Sequence, residues 1–460
     1  MKFSYLLTCM VFLLVSLKGF GQDTTGLSLP RLWEQAFANY PSLEAYRSQQ
    51  RQANINQKLA RNQYLPNVLL QAQNTLGTQH GINGAFFPLP GLFNVNGAGI
   101  NSGADYAANM FGSVVMDWQF MQFGRQKKSM EAAAVLSNQA AHRLNAEQVA
   151  VQAALSRDYF QLLYYQRMQH WAQANTQRLQ TIFQASAANA RAGLSPGADS
   201  LLIKATLDQT GADLHKWQGF EEEAKIALAQ WVNIPASHLT VQNELFLNEG
   251  EPHLIRETEQ DLATHPQLAF KKEQIAYAEK QKELAFLGAL PSLSILGGVQ
   301  LRGHSMNREN SVYENWGQSY NNTADNYLVG LGLTWNLGQA FDSRLEKSLY
   351  LEEAQQRQAE TEALALNLRS QKEMAQQQMA QSRQQIDNTE QAYEAASQAY
   401  GLFEARYNSG LISITELLQI QDILQNTERT RIEAYYQYWL QQTNMAESTA
   451  DFSYLQNVFE

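Results

Sequence analysis

The chain has 460 residues, 44 of them acidic against 34 basic, for a formal net charge of −10. That balance argues against a nucleic-acid partner, whose phosphates need a basic face. Cys9 is the only cysteine, so neither disulfides nor thiolate metal sites can hold the fold, and packing must do it.

Lys2 precedes an apolar run from Tyr5 to Leu17, and Gly19-Phe20-Gly21 follows before Gln22. A charged start, an apolar run and small residues are the order of a secretory signal peptide, residues 1–21. A transmembrane helix needs about 20 apolar residues, more than this run supplies. Cys9 lies inside the run and forms no lipid-attachment box, so the mature chain is read as cysteine-free. The remainder is rich in Ala, Gln and Leu and poor in glycine and proline over long stretches, a bias towards long helices. No later stretch resembles a membrane-spanning helix, so passage through a bilayer would have to use strands.

The chain is written twice. Tyr40-Pro41-Ser42-Leu43 aligns with His265-Pro266-Gln267-Leu268, and Tyr64-Leu65-Pro66 with Ala289-Leu290-Pro291, at one shared offset. Trp118 with Trp335, and Gly193-Leu194 with Gly410-Leu411, share a second, slightly shorter one. Ordered matches of this kind mark an internal repeat, residues 22–250 and 251–460.

Each half opens with an amphipathic helix, in the first half with Leu32, Ala36, Tyr40 and Leu43 at helical spacing, which runs until a proline ends it. After Pro66 and Pro291 the period becomes two, as in Leu293, Ile295, Gly297 and Val299 against Ser294, Leu296, Gly298 and Gln300, and more faintly in Val68, Leu70 and Ala72 against Leu69, Gln71 and Gln73. Loops rich in glycine and asparagine follow, 77–109 and 303–326, each leading to a second alternating segment. Tyr327, Val329, Leu331, Leu333 and Trp335 share one face, with Gly330, Gly332, Thr334 and Asn336 on the other. Val114, Met116 and Trp118 stand likewise against Ser113, Asp117 and Gln119. The expected strands are 67–76, 110–120, 292–302 and 327–337. By alternation alone they fit a transmembrane barrel or half-buried hairpins of a soluble domain.

The helices favour the barrel. Neither Arg125 to Ala192 nor Asp342 to Tyr400 contains glycine or proline, and at 1.5 Å per residue the first would span roughly 100 Å. Such rods must pack side by side, along seams such as Val151, Leu155, Tyr159 and Leu162, or Leu417, Ile420 and Leu424. Shorter helices follow each Gly-Leu turn, from Ala198 to about Trp231 and from Ser413 to about Ala450. Four strands cannot close a barrel, and open edges in lipid leave backbone groups unsatisfied. Three copies would supply twelve strands, enough for an open interior.

In this order of elements, and in the turn motifs Arg191-Ala192-Gly193-Leu194 through Asp199 and Arg406-Tyr407-Asn408-Ser409-Gly410-Leu411 through Glu416-Leu417-Leu418, the chain resembles the outer-membrane efflux protein (TolC) family over its whole mature length. The resemblance implies an α-helical barrel joined to a transmembrane β-barrel: long coiled-coil helices with four strands per protomer, internally duplicated and closed as a trimer. It implies an outer-membrane channel of a Gram-negative bacterium, most of its chain in the periplasm, that passes solutes outwards in a tripartite efflux or secretion system. The implied partners are a periplasmic adaptor (membrane fusion) protein and an inner-membrane pump, with the adaptor meeting the turns at Arg191, Gly193, Leu194, Gly410 and Leu411.

The resemblance further places Asp199, Tyr407 and Glu416 at a periplasmic gate or entrance. Ile412 stands where the family prototype has an arginine, so the prototype's ion pair cannot form in the same way. Gln419 replaces a second acidic residue, which leaves one ring of carboxylates, attractive to cations. Asp199 and Glu416 equally suit the first turn of a helix, Tyr407 equally suits packing, and Trp118 and Trp335 suit a membrane-interface belt. A soluble periplasmic coiled-coil adaptor or scaffold is the alternative for the chain as a whole. No catalytic motif and no cofactor or metal site is expected: His253 and His265 flank a helix start, and Met110, Met116, Met121, Met374 and Met379 are scattered. Substrate identity is not legible in the sequence.

Overall fold

A computed structural model describes residues 26–77, 107–193, 196–241, 246–247, 262–305, 317–321 and 323–460. The expected signal peptide, Leu194, His253 and most of the two expected loops lie outside the described residues. The chain divides into two units, one helical (Met1–Ser48, His142–Ala269 and Glu362–Glu460) and one bearing the strands (Gln49–Ala141 and Phe270–Thr361).

In chain order the elements are α1 Leu29–Asn39, α2 Pro41–Asn62, β1 Asn67–Gly77, β2 Ala107–Met121, α3 Arg125–Arg191, α4 Gly197–Val232, α5 Pro266–Gly288, β3 Ser292–His304, α6 Gln318–Asn321, β4 Thr323–Thr334, α7 Leu337–Asn408, α8 Ile414–Thr449 and α9 Ser453–Phe459. Among the described residues no helix is long and apolar enough to cross a membrane. The long helices are 67 and 72 residues, α3 and α7. The second runs through Gly338 and Gly401, beyond the glycine-free stretch that marked it in the sequence. Where one opening helix was expected there are two, because Tyr40 is extended, with ψ 118°, as the residue before Pro41 is biased to be.

The strands form one antiparallel sheet in the order β1-β2-β3-β4, so β2 and β3 join the two halves. Across it run rows of one character: Leu70, Val114, Val299 and Tyr327 on one face, and Gln71, Ser113, Gln300 and Asn326 on the other. The polar face is less uniform than the alternation implied, since Leu69, Val115, Gly298 and Leu328 form an apolar row beside the glutamines. β2 begins at Ala107 and β4 at Thr323, inside the expected loops, because polar residues such as Asn109 and Asn326 pair in the ladder. β4 ends at Thr334 rather than 337: the Asn336 side chain accepts from the Gln339 N–H at 3.3 Å, capping α7 and turning the chain out of the sheet.

The core of the helical unit is aromatic. Phe160 of α3 stacks on Trp439 of α8 at 5.5 Å, and Phe459 of α9 meets Tyr159, Phe160 and Trp439 edge-on. Buried indoles find partners, as they must: Trp33 donates to Ser156 Oγ and Trp439 to the Phe246 carbonyl. The seam residues Val151, Leu155, Tyr159, Leu162, Leu417 and Leu424 are buried.

His265, next to Pro266, is buried within the same unit. Its Nδ1 accepts from the Gln267 N–H at 3.2 Å while Nε2 faces the Glu447 carbonyl at 3.1 Å, an arrangement that requires the neutral ring with its proton on Nε2. Burial depresses its pKa from 6.5, opposed by the Glu447 carbonyl. The unfolded chain therefore binds a proton before the folded one does, and stability, full above the ordinary histidine range, falls as pH drops through that range towards the depressed value. The melting temperature is expected to fall more between pH 7.5 and 5.5 in the native protein than in His265→Asn; equal losses would show that another group is responsible.

Candidate functional site

The two turns of the helical unit are built alike. At the second, the Gly410 N–H donates to the Tyr407 carbonyl and the Leu411 N–H to the Arg406 carbonyl, both at 2.9 Å, the paired closure of a Schellman motif. Gly410 has φ +71° and Gly193, at the first turn, φ +70°, with open space where a Cβ would stand. Glycine is needed at both for backbone conformation and not for room. Leu411 is 70% exposed, and Arg191 is exposed with its Nε donating to Ala187 O of its own helix.

Beneath the turns a small apolar cluster gathers Leu179 and Ile182 of α3, Ile203 of α4, and Ile414 and Leu417 of α8. Tyr407 and Ile412 pack against it. Asp199 lies in the first turn of α4, near enough for its charge to act on Tyr407. Burial chiefly raises the Tyr407 pKa, the Asp199 carboxylate adds to the rise, and the Ser186 hydroxyl opposes it. No hydrogen bond joins Asp199 to Tyr407 among the described residues. Ile412 does not replace an arginine chemically; it adds to the apolar cluster.

Glu416 sits in the first turn of α8 and closes a capping box with Ser413. Its Oε2 accepts from the Ser413 N–H at 2.7 Å and from the Ser413 hydroxyl at 2.8 Å, while Ser413 Oγ accepts from the Glu416 N–H at 3.3 Å. These bonds, backbone first, hold its carboxyl below the usual glutamate range, with the Arg406 charge assisting. The carboxylate remains exposed, so one group caps the helix and presents charge to solvent. Arg406, over the Phe403 ring at 5.8 Å and directly before Tyr407, is a cation of the second turn motif to which the sequence assigned no separate role.

In the strand unit Trp118 and Trp335 do matching work. Trp118 Nε1 donates to the Tyr64 carbonyl and Trp335 Nε1 to the Ala289 carbonyl, each at 3.0 Å. Both acceptors belong to the repeated segments before Pro66 and Pro291, so each tryptophan ties the end of a strand to the end of the helix that precedes its hairpin. A cavity of about 500 Å³ lies nearby, lined chiefly by polar groups such as Gln63, Gln119, Arg125, Gln281, Gln339 and Glu346. The described residues contain no cluster of potential metal ligands.

The sequence profile described as "Outer membrane efflux protein" matches residues 32–233 and 258–450. Among solved structures, the outer-membrane channel OprN is 19% identical over 92% of this chain and 90% of its own, with a TM-score of 0.72. The Campylobacter jejuni CmeC outer membrane channel is 14% identical over 94% and 90%, at 0.75. VceC, an outer membrane protein of Vibrio cholerae, is 16% identical over 92% and 95%, at 0.71. No curated protein sequence matches the chain.

Removing a Ser or Thr cap costs about 1 kcal/mol locally. Ser413→Ala is therefore expected to speed amide hydrogen exchange in the first turn of α8 roughly fivefold while leaving the aromatic core unchanged. Unaltered exchange at residues 414–417 would contradict the cap.

Proposed function

Because the chain belongs to the outer membrane efflux protein family, we propose that its four strands close with those of two further copies into one twelve-stranded barrel. The protein is an outer-membrane channel component of an efflux system. Its role on this reading is that of a passive conduit, fed by a periplasmic adaptor and an inner-membrane pump, with most of the chain in the periplasm and no chemistry of its own.

One observation carries the trimer: among the described residues the sheet has two free edges, β1 and β4, and an apolar face open to its surroundings, with Tyr327 85% and Leu331 79% exposed. In lipid such edges must be paired, and head-to-tail pairing of β4 with the next copy's β1 closes the ring. The chain beside each edge supports this geometry. Directly after β4, Leu337, Phe341, Leu345 and Leu349 make an exposed stripe on α7 at helical spacing; before β1, Ile55 and Leu59 are exposed on α2. A soluble scaffold would leave all of these surfaces in water.

On this reading the turns form the periplasmic end. Asp199, Tyr407 and Glu416 line the entrance, where three copies of Glu416 make a single acidic ring favouring cations. Packing of Ile412 takes the place of a tip ion pair. Arg191, Gly193, Leu194, Gly410 and Leu411 are the surface offered to the adaptor, and Trp118 and Trp335 mark the membrane interface.

The purified protein is expected to require detergent, to run at the mass of a trimer and to conduct cations in a planar bilayer, with weaker cation preference in Glu416→Gln. A monomer released without detergent that never conducts would refute the channel. Burial of one leucine is worth about 1.5–3 kcal/mol, so Leu345→Asp is expected to raise the monomer fraction in detergent at least tenfold; an unchanged trimer would remove the α7 stripe from the interface.

A further inference from the structure

The helical unit contains two separate apolar clusters, one around Tyr159, Phe160, Met168 and Trp439 and the other beneath the turns around Leu179, Ile182 and Leu417. Between them, in the stretch that also holds the buried Ala172 and Leu424, α3 and α8 meet through polar side chains. Gln421 Nε2 donates to Asn175 Oδ1 at 3.1 Å, and Arg178 donates to the same oxygen. Arg178 also grips Glu428 with both terminal nitrogens, Nη1 to Oε1 at 3.1 Å and Nη2 to Oε2 at 2.5 Å. Asn175 and Gln421 are 1% and 2% exposed.

Two features suit this layer to parting. Asn175 Nδ2 and Gln421 Oε1 are buried without partners, and a buried orphan donor and acceptor favour any state in which water can reach them. Inverting an amide does not help, since Arg178 already fixes the Asn175 oxygen. Secondly, the two apolar clusters are not joined here, with only Ala172 and Leu424 of α3 and α8 as buried apolar residues in the stretch between them, so the cluster beneath the turns can shift as a piece against the larger one. On the far side of the layer, Trp171 Nε1 donates to the Gln425 carbonyl at 3.0 Å, and Arg157 pairs with Glu447 further along the same two helices.

We propose that this polar layer is the hinge of the channel entrance and that the Arg178–Glu428 fork is its latch. With the fork formed, the start of α8 is held on α3 and the entrance is closed. When it breaks, the two helices separate at the layer and water fills it. The proposal rests on the entrance reading above and extends it, because Ile412 supplies no charge with which to hold the turns shut.

The test is conductance of the reconstituted full-length trimer in Arg178→Glu, Glu428→Arg and the double exchange, with Asp199→Ala/Tyr407→Phe as a separate probe of the turns. Each single reversal is expected to raise open probability several-fold, and the double exchange to return it to the native level, a rescue that loss of stability alone would not produce. Should a reversal prevent assembly, Glu428→Gln is expected to open the channel in the same sense. Trimers with native conductance in the single variants, or a double exchange as open as the singles, would overturn the latch. If the turn variant opens the channel while the latch variants do not, the latch alone falls. If the native trimer already conducts fully open, the entrance reading falls with it.

Discussion

The hydrogen bonds that β1 and β4 leave unmade among the described residues constrain the rest of the molecule. A strand edge in water can be solvated, but in hydrocarbon every unpaired N–H and C=O costs several kcal/mol. A four-stranded sheet with an exposed apolar face is therefore an unfinished object. On the trimer reading its completion by rotation would set the symmetry, and the symmetry would give each long helix neighbours from other copies. The apolar stripe on α7 follows β4 directly along the chain, so strand pairing and helix packing would close at the same seam.

The anchors read as a repeat were legible because proline, glycine and tryptophan mark backbone events that side-chain drift cannot imitate. Pro66 and Pro291 precede strands, Gly193 and Gly410 adopt left-handed backbone, and Trp118 and Trp335 make equivalent hydrogen bonds. Helix existence was equally plain, since nothing in α3 interrupts it. Strand ends were not. Asn109, Asn326 and their neighbours look like loop by composition, yet they pair in the ladder, and the end of β4 was hidden because Asn336 acts as a helix cap, which a period-two reading cannot see.

The turn region was partly readable. The family resemblance drew attention to Asp199, Tyr407 and Glu416, but not to the fold-back of Glu416 on Ser413 or to the packing of Ile412 on an apolar cluster. Those contacts link residues through a turn or between helices, and their partners carry no distinguishing composition. The Asn175, Arg178, Gln421 and Glu428 layer was invisible for the same reason. Four polar residues on two separate helices look like ordinary solvated positions until the helices are laid together.

The paired tryptophan bonds bear on how the protein would meet bilayers of unequal thickness. Each indole fixes a strand end against a helix end, so on the membrane reading the inner water–lipid boundary sits at a set height on the scaffold. A thicker or thinner bilayer could not be matched by sliding the helices up or down. The mismatch would fall on the opposite rim, where the strands run into their connecting loops, and on the lipids there. Hydrophobic matching would thus be one-sided: rigid towards the periplasm and adjustable only at the cell surface.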